Sequence, residues 1–322
     1  MKTRTLTHDR HVYGPVPSRR LGRSLGIDLV PLKTCSYDCV YCQLGRTTHK
    51  TVRRGDWVDP AQVVAQVRDR LATKPDIITI AGSGEPTLAQ GIGEVIAGTK
   101  ESADIPVAVL TNGSLLGLPA LQRELASADI VIPSLDAPDE RLFQLVNRPH
   151  RSLRLEDVVD GLVAFRESYR GQVWLEVLLL GGVTGIPEEV ARLATLAERI
   201  APDRIQLNTV VRPPAESFAQ AVPFDRLQEY AAMFTPHAEV IAPAVQSMAG
   251  FAASRADVMA LVSRRPCNVA DIAAGLGIHR SEALKIVMAL VDDGQVETAE
   301  HGAELFFQAA HAVTADTIEE RS

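Results

Sequence analysis

Thr34-Cys-Ser-Tyr-Asp-Cys-Val-Tyr-Cys-Gln43 decides how this chain is read. Its three cysteines, Cys35, Cys39 and Cys42, stand at i, i+4 and i+7. Thiolates so spaced in one short loop can close around a cubic iron–sulfur cluster while filling three of its four irons. The fourth iron keeps an open coordination position. Structural metal sites are usually closed by a full ligand set, so an open one marks a reactive centre. Upstream, 25–30 (Leu-Gly-Ile-Asp-Leu-Val) reads as a β-strand closed off by Pro31. The cysteines then follow a strand's C-terminal end, where barrel enzymes place their chemistry.

Two other readings compete. The cysteines with His49 make a Cys3His set, which zinc accepts. That reading leaves unexplained the run Ile77-Ile-Thr-Ile-Ala-Gly-Ser-Gly-Glu-Pro-Thr-Leu88 on the next strand. A disulfide scaffold fits worse, because four cysteines in 322 residues are sparse and three fall within eight positions. Cys267 stands apart and reads as a small buried side chain.

The motif Cys-x3-Cys-x2-Cys, with the aromatic Tyr41 before its third cysteine, resembles the signature of the radical S-adenosylmethionine (SAM) enzymes. The resemblance implies one [4Fe-4S] cluster on Cys35, Cys39 and Cys42. It also implies SAM chelated to the open iron and reductive cleavage to a 5′-deoxyadenosyl radical, with electrons from a flavodoxin- or ferredoxin-type donor. The Gly-Ser-Gly-Glu-Pro run looks like the family's second motif, which places Gly82, Gly84, Glu85 and Pro86 beside SAM. Glycines there let backbone approach a ligand without Cβ interference.

Composition agrees with a soluble, cytoplasmic enzyme. Hydrophobic residues make up 46% and charged residues 23%, near the globular average. The first ten residues hold no apolar core for a signal peptide. No apolar stretch approaches the roughly 20 residues that span a bilayer, so no membrane partner is expected. The net charge of −7 hides an asymmetry. From Met1 to Arg54 eleven basic residues face three acidic ones, a balance of +8 on the segment carrying the cysteines. Such a block suits an anionic partner such as RNA, or offsets the cluster, or lies on a solvated face.

Strands and helices then alternate. Strands are expected at 25–30, 76–81, 106–110, 130–135, 173–180 and 205–210, and helices at 60–71, 119–126, 155–169 and 187–200. Asp59 reads as an N-cap with Pro60 at the first helical position. Six strand–helix units imply a parallel sheet with right-handed crossovers. Periodicity alone allows a doubly wound sheet equally well; the resemblance implies a partial (β/α)6 TIM-type barrel.

Strand ends in such a barrel hold the ligand. In relatives, polar residues at these ends approach the ribose and carboxylate of SAM, which makes Asn112, Ser134 and Asp136 candidates. Asn112-Gly113 is also a favoured turn pair. Glu176 in an apolar strand is either a site residue or half of a buried ion pair. Gln206 and Asn208, two apart, share one face. Arg212 lies in Val211-Arg-Pro-Pro214, which resembles the family's adenine-side loop. Asn147-Arg-Pro-His150 reads as substrate contact, helix cap or loop packing.

After about residue 245 the pattern changes. Helices at 255–263, 269–274 and 280–291, with a glycine turn at 275–277 and a hairpin around His301-Gly302, resemble a winged helix-turn-helix. The expected organisation is a barrel over 1–245, a linker at 246–254, the winged-helix-like domain at 255–310 and a polar tail at 311–322. From Arg255 to Ser322 six basic residues face eleven acidic ones. Duplex binding rests on cationic phosphate contacts, so DNA, and with it a transcriptional iron–sulfur sensor, is disfavoured. A protein- or peptide-docking role fits better.

The run Gly14-Pro-Val-Pro-Ser-Arg-Arg-Leu-Gly-Arg-Ser-Leu-Gly-Ile-Asp-Leu-Val-Pro31 is most similar to the branch that includes the tRNA wyosine-forming synthases. Two features depart from it. No cysteine precedes Cys35 to hold a second cluster. The synthases also use lysine chemistry on pyruvate, whereas here Lys33 is the one lysine placed near the cysteines; as a surface charge it reads as well.

Overall fold

The computed structural model describes residues 11–18, 20–241, 254–276, 278, 280–301 and 304–310. Most of the expected linker, part of the 275–277 turn, the polar tail and the basic residues Lys2, Arg4, Arg10 and Arg19 lie outside that range. Two compact units, Met1–Gln246 and Ser247–Ser322, divide the chain.

Six parallel strands make the body of the first unit: β2 (Gly22–Ile27), β3 (Ile77–Ile80), β4 (Val107–Thr111), β5 (Ile130–Pro133), β6 (Gln172–Leu179) and β7 (Arg204–Thr209). An antiparallel strand, β1 (Val12–Ser18), flanks β2, and a two-residue parallel strand, β8 (Glu239–Val240), flanks β7. Sheet order equals chain order from β1 to β8. A doubly wound sheet reverses its order at a switch point. Here every crossover advances one strand in the same direction, which favours the barrel-type α/β arrangement over the alternative.

Between strands run α1 (Pro60–Arg70), α2 (Ile92–Ser102), α3 (Pro119–Leu125), α4 (Glu140–Val146), α5 (Leu155–Ser168), α6 (Pro187–Ile200) and α7 (Phe224–Ala231). The expected start of α1 is observed: Asp59 accepts a hydrogen bond from Ala61 N at 2.9 Å, with Pro60 following. Period-2 alternation sorts the strand residues into two layers. Val107, Val109, Val131, Leu175, Val177 and Leu207 pack outward against Val63, Ile92, Leu121, Leu162 and Leu193 of the helices. On the other face Leu21, Ile77, Ala108, Ile130, Ile132 and Trp174 form a separate apolar cluster.

The first strand lies earlier than the expected 25–30. Ladder pairing ends at Ile27, and Asp28 turns its carboxylate to Ser83 instead. Helices α2, α4 and α7 and strands β1 and β8 add to the expected elements.

In the second unit, α8 (Arg255–Val262) begins with a reciprocal Ser254–Asp257 capping box. Helices α9 (Val269–Leu276) and α10 (Arg280–Asp292) follow, then an antiparallel hairpin of β9 (Val296–His301) and β10 (Glu304–Ala309). Cys267 is fully buried and exchanges main-chain hydrogen bonds with Phe307 at 2.9 and 2.8 Å.

Candidate active site

Main-chain hydrogen bonds hold the cysteine loop from both sides. Thr34 O accepts from Glu85 N at 3.0 Å, and Cys35 O accepts from Thr51 N at 2.9 Å. On the far side Asp38 N donates to Asn147 O, Val40 N to Val146 O, and His150 N to Ser36 O. The Asn147-Arg-Pro-His150 stretch is therefore packed along the cysteines.

The Gly-Ser-Gly-Glu-Pro run ends β3 against this loop. A Cβ on Gly84 would fall 1.9 Å from Thr34 O, and one on Gly82, at φ +137°, would fall 2.7 Å from the Asp28 carboxyl carbon. The sequence assigned these glycines to a ligand's approach; the close neighbours seen here are protein atoms. Pro86 and Glu85 open a short 3₁₀ turn, with Glu85 as its cap. Glu85 is 2% exposed. Its Oε1 accepts from Thr87 N (3.1 Å), Thr87 Oγ1 (2.6 Å) and Thr111 Oγ1 (2.6 Å), and its Oε2 from Asn112 N (2.7 Å). Burial raises its pKa against these four donors, which favour the charged form.

Asn112 forms the expected turn and also faces the cysteine loop. Its Oδ1 accepts from Ser114 N at 3.0 Å, closing a turn, while Nδ2 reaches Ser36 Oγ at 2.8 Å and Cys35 Sγ at 3.5 Å. Ser134, just past β5, donates its N–H to Thr111 O and bridges to Glu176. Asp136 is a buried junction. Oδ2 accepts from Tyr41 Oη and from Asn147 Nδ2 (2.8 Å), and Oδ1 from Leu178 N (3.1 Å). Burial pushes Asp136 up to about 6. The Asn147 amide also stands 3.5 Å from Cys39 Sγ. Sequence reasoning left this side chain open, and its one local signal is the position just after α4, as C-cap.

Glu176 is half of an ion pair. Arg20 Nη1 lies 2.5 Å from its Oε2, and Asn208 Nδ2 lies 2.8 Å from its Oε1. The Arg20 guanidinium also reaches Gln206 Oε1 at 3.2 Å. The structure thus brings Glu176, Gln206 and Asn208 together, with an arginine the sequence did not single out. Arg212 is buried in the loop after β7. Lys33, at φ 59°, has its N–H on Ser83 O, and its ammonium favours the ionised form of Cys42.

Burial pushes the Cys35 thiol up to about 12, helped by the Glu85 carboxylate. Cys39 and Cys42 are also raised, first by burial. Such thiols stay protonated in the absence of a cation; a bound cation stabilises the thiolate and the displaced proton passes to solvent. Each sulfur also meets an N–H donor: Tyr37 N and Asn112 at Cys35, Asn147 at Cys39, and the Leu44 backbone at Cys42. Among the described residues no three His, Cys, Asp or Glu side chains close around a single ion, and His49 is exposed beside Thr34. The zinc-knuckle geometry is not formed. Thiols that each bind a different iron have no need to converge on one point.

Residues 29–194 match the family model described as the radical SAM superfamily. The chain belongs to the radical SAM superfamily. Among its relatives is a UPF0026 protein of Methanocaldococcus jannaschii, 31% identical over 92% of this chain and 94% of that one. Another, from Brachyspira hyodysenteriae and named GTPase Obg, is 34% identical over 92% of this chain; the chain spans 44% of that protein's length. A radical SAM methyltransferase from Sphaerobacter thermophilus shares the fold, with a TM-score of 0.52 and 19% identity over 67% of this chain and 65% of that one. The protein is thus a radical SAM enzyme, and its family's cofactors are a [4Fe-4S] cluster and SAM. The donor set of three partly buried thiols, each met by an N–H group, fits that cluster. Among the described residues no helix is long and apolar enough to cross a membrane.

Proposed function

We propose that this radical SAM enzyme modifies RNA, holding the phosphate backbone on the basic rim of the cysteine loop. The observation that carries the reading is that rim. Arg46, Lys50, Arg53 and Arg151 are exposed on it, with Lys33 and Arg148 partly so. Glu216 answers two of them, Arg46 at 2.7 Å and Arg148 at 2.6 Å. Arg20 and Arg54 take no part, being turned to Glu176 and Glu124. Cationic contacts dominate nucleic-acid affinity and make it fall with salt. The similarity of residues 14–31 to the wyosine-forming branch favours tRNA within the class.

In this reading Cys35, Cys39 and Cys42 anchor three irons. Tyr41, Gly82, Gly84, Glu85, Pro86, Asn112, Ser134, Asp136, Gln206, Asn208 and Arg212 shape the SAM pocket, several of them through the contacts described above. When bound, cluster and SAM together supply one-electron cleavage of the sulfonium C–S bond, releasing a 5′-deoxyadenosyl radical. A flavodoxin- or ferredoxin-type protein is the proposed reductant. The C-terminal unit, three helices followed by a hairpin, is inferred to be a winged helix-turn-helix. Its acidic sequence suits protein contacts better than duplex DNA.

The test compares tRNA nucleosides from cells with and without the protein, alongside binding of bulk tRNA across a salt series. A nucleoside should disappear with the protein. Reversing Lys50, Arg53 and Arg151 to Glu should weaken binding and flatten the salt slope by about one for each cation removed. Unchanged nucleosides together with unchanged tRNA binding in the triple variant would overturn the RNA reading. In that case a peptide substrate docked by the C-terminal unit takes its place.

A further inference from the structure

Two side-chain amides stand against two of the three sulfurs, and each of the two asparagines also donates to a buried carboxylate, one from its main chain and one from its side chain. Asn112 Nδ2 lies 3.5 Å from Cys35 Sγ, while the main-chain N–H of the same residue donates to Glu85 Oε2 at 2.7 Å. Asn147 Nδ2 lies 3.5 Å from Cys39 Sγ and donates to Asp136 Oδ2 at 2.8 Å. The two asparagines come from different parts of the fold, one just past β4 and one just past α4.

Neither amide is free to turn away. Asn112 is fixed by Ser114 N on its oxygen and Ser36 Oγ on its nitrogen, and Ser36 is itself 2.7 Å from Ser114 Oγ. Asn147 is 2% exposed, and its main-chain oxygen holds Asp38 of the cysteine loop. A packing role alone has no need of an N–H directed at sulfur in both cases. An aliphatic side chain fills such a space without the cost of burying an amide.

We propose that Asn112 and Asn147 set the reduction potential of the cluster, acting as positioning residues on Cys35 and Cys39. The proposal rests on the assignment of the cluster to these cysteines. Reduction adds one negative charge to the cluster, and part of that charge resides on its sulfurs. An N–H donated to a ligating sulfur stabilises the more negative state, and hydrogen bonds to sulfur are among the levers that set such potentials. Low local dielectric strengthens the effect. The carboxylates of Glu85 and Asp136 act in the opposite sense, by repelling the added charge. Each asparagine is joined to one carboxylate, Asn112 through its main chain and Asn147 through its side chain, and its side-chain amide offsets at the sulfur the repulsion from that carboxylate. Cys42 meets main-chain N–H from Leu44 instead, so two of the three sulfurs carry a side chain that substitution can remove.

The test is an EPR-monitored redox titration of the anaerobically reconstituted full chain without SAM, for wild type, Asn112→Ala, Asn147→Ala and the double variant. Each single change should lower the ratio of reduced to oxidised cluster at fixed poise about tenfold, equivalent to about 59 mV for one electron. The double variant should lower it further. Variants that keep four irons and the wild-type midpoint would overturn the inference. A wild-type chain that takes up no cluster would instead overturn the site assignment beneath it. Where an alanine variant loses its iron, wild-type protein labelled with 15N-asparagine decides the matter. Its reduced cluster should show hyperfine coupling to side-chain nitrogen, and absence of that coupling sinks the proposal.

Discussion

Arg20 Nη1 lies 2.5 Å from Glu176 Oε2, tying the turn before the first parallel strand to the fifth. The side chains are 13% and 15% exposed, so solvent screens the pair only in part. Removing one partner strands a charge, whereas removing both does not. Glu176→Ala should therefore destabilise the first unit by about 2 kcal/mol, allowing for that partial exposure. Arg20→Met with Glu176→Leu should recover much of the loss. Urea unfolding followed by tryptophan fluorescence suits the measurement, because Trp57 and Trp174 both lie in this unit. Equal loss in the single and double variants would show that the pair carries no coupling.

Replacing Cys35, Cys39 or Cys42 by Ala should abolish the brown chromophore and SAM cleavage, since each thiol is one of three anchors. Cys267→Ala should keep both, because Cys267 lies in the second unit, buried against the hairpin. It should cost stability of about 1 kcal/mol from the lost packing. Iron and sulfide analysis settles the point. A bleached Cys267→Ala beside a coloured Cys42→Ala would refute the ligand set.

Glu85→Ala should do more than weaken SAM binding. The carboxylate caps the Pro86–Leu88 turn and satisfies donors from Thr87, Thr111 and Asn112. Removing it leaves buried N–H and O–H groups unpaired, at about 1–3 kcal/mol for a group so stranded. Thermal unfolding of the cluster-free protein should show this loss, with Glu85→Gln intermediate. An unaltered melting temperature in Glu85→Ala would confine the residue to ligand contact.

Asp136 gives a pH signature. Burial raises its folded-state pKa to about 6 from 3.8, so the folded chain holds this proton more tightly than the unfolded one. The associated stability is full below about pH 4 and is lost as pH rises to about 6. The loss is about 3 kcal/mol by the usual conversion. Asp136→Asn lacks that titration, so the stability difference between variant and wild type should shift in the variant's favour from pH 4 to pH 7. A difference that stays flat across that range would contradict the assignment.

Much of the parallel sheet was legible because its strands are buried on both faces and read as apolar runs. Strand β1 was not, since Val12-Tyr-Gly-Pro-Val-Pro-Ser18 carries residues that normally break strands. Its edge position removes the objection, as an edge strand can spare N–H groups. Helix α2 was hidden by Gly93 and Gly98. A Cβ at Gly98 would meet Val64 at 2.8 Å, so that glycine is the mark of tight packing on α1. At the site, spacing revealed the thiols, but no spacing links Asn147 to Cys39 or Arg20 to Glu176. Those pairs are 108 and 156 residues apart, and only the completed sheet brings them together.

The loop that carries the thiols is held by protein partners on both of its sides. Its main chain is hydrogen-bonded to Glu85, Thr51, Val146, Asn147 and His150, none of them a cysteine. Small zinc domains, by contrast, fold only as they bind metal. Here main-chain hydrogen bonds to residues far along the chain add to whatever the metal contributes. A substitution within 146–150 is therefore expected to displace the thiols as surely as one beside them, although the two stretches are distant in the chain.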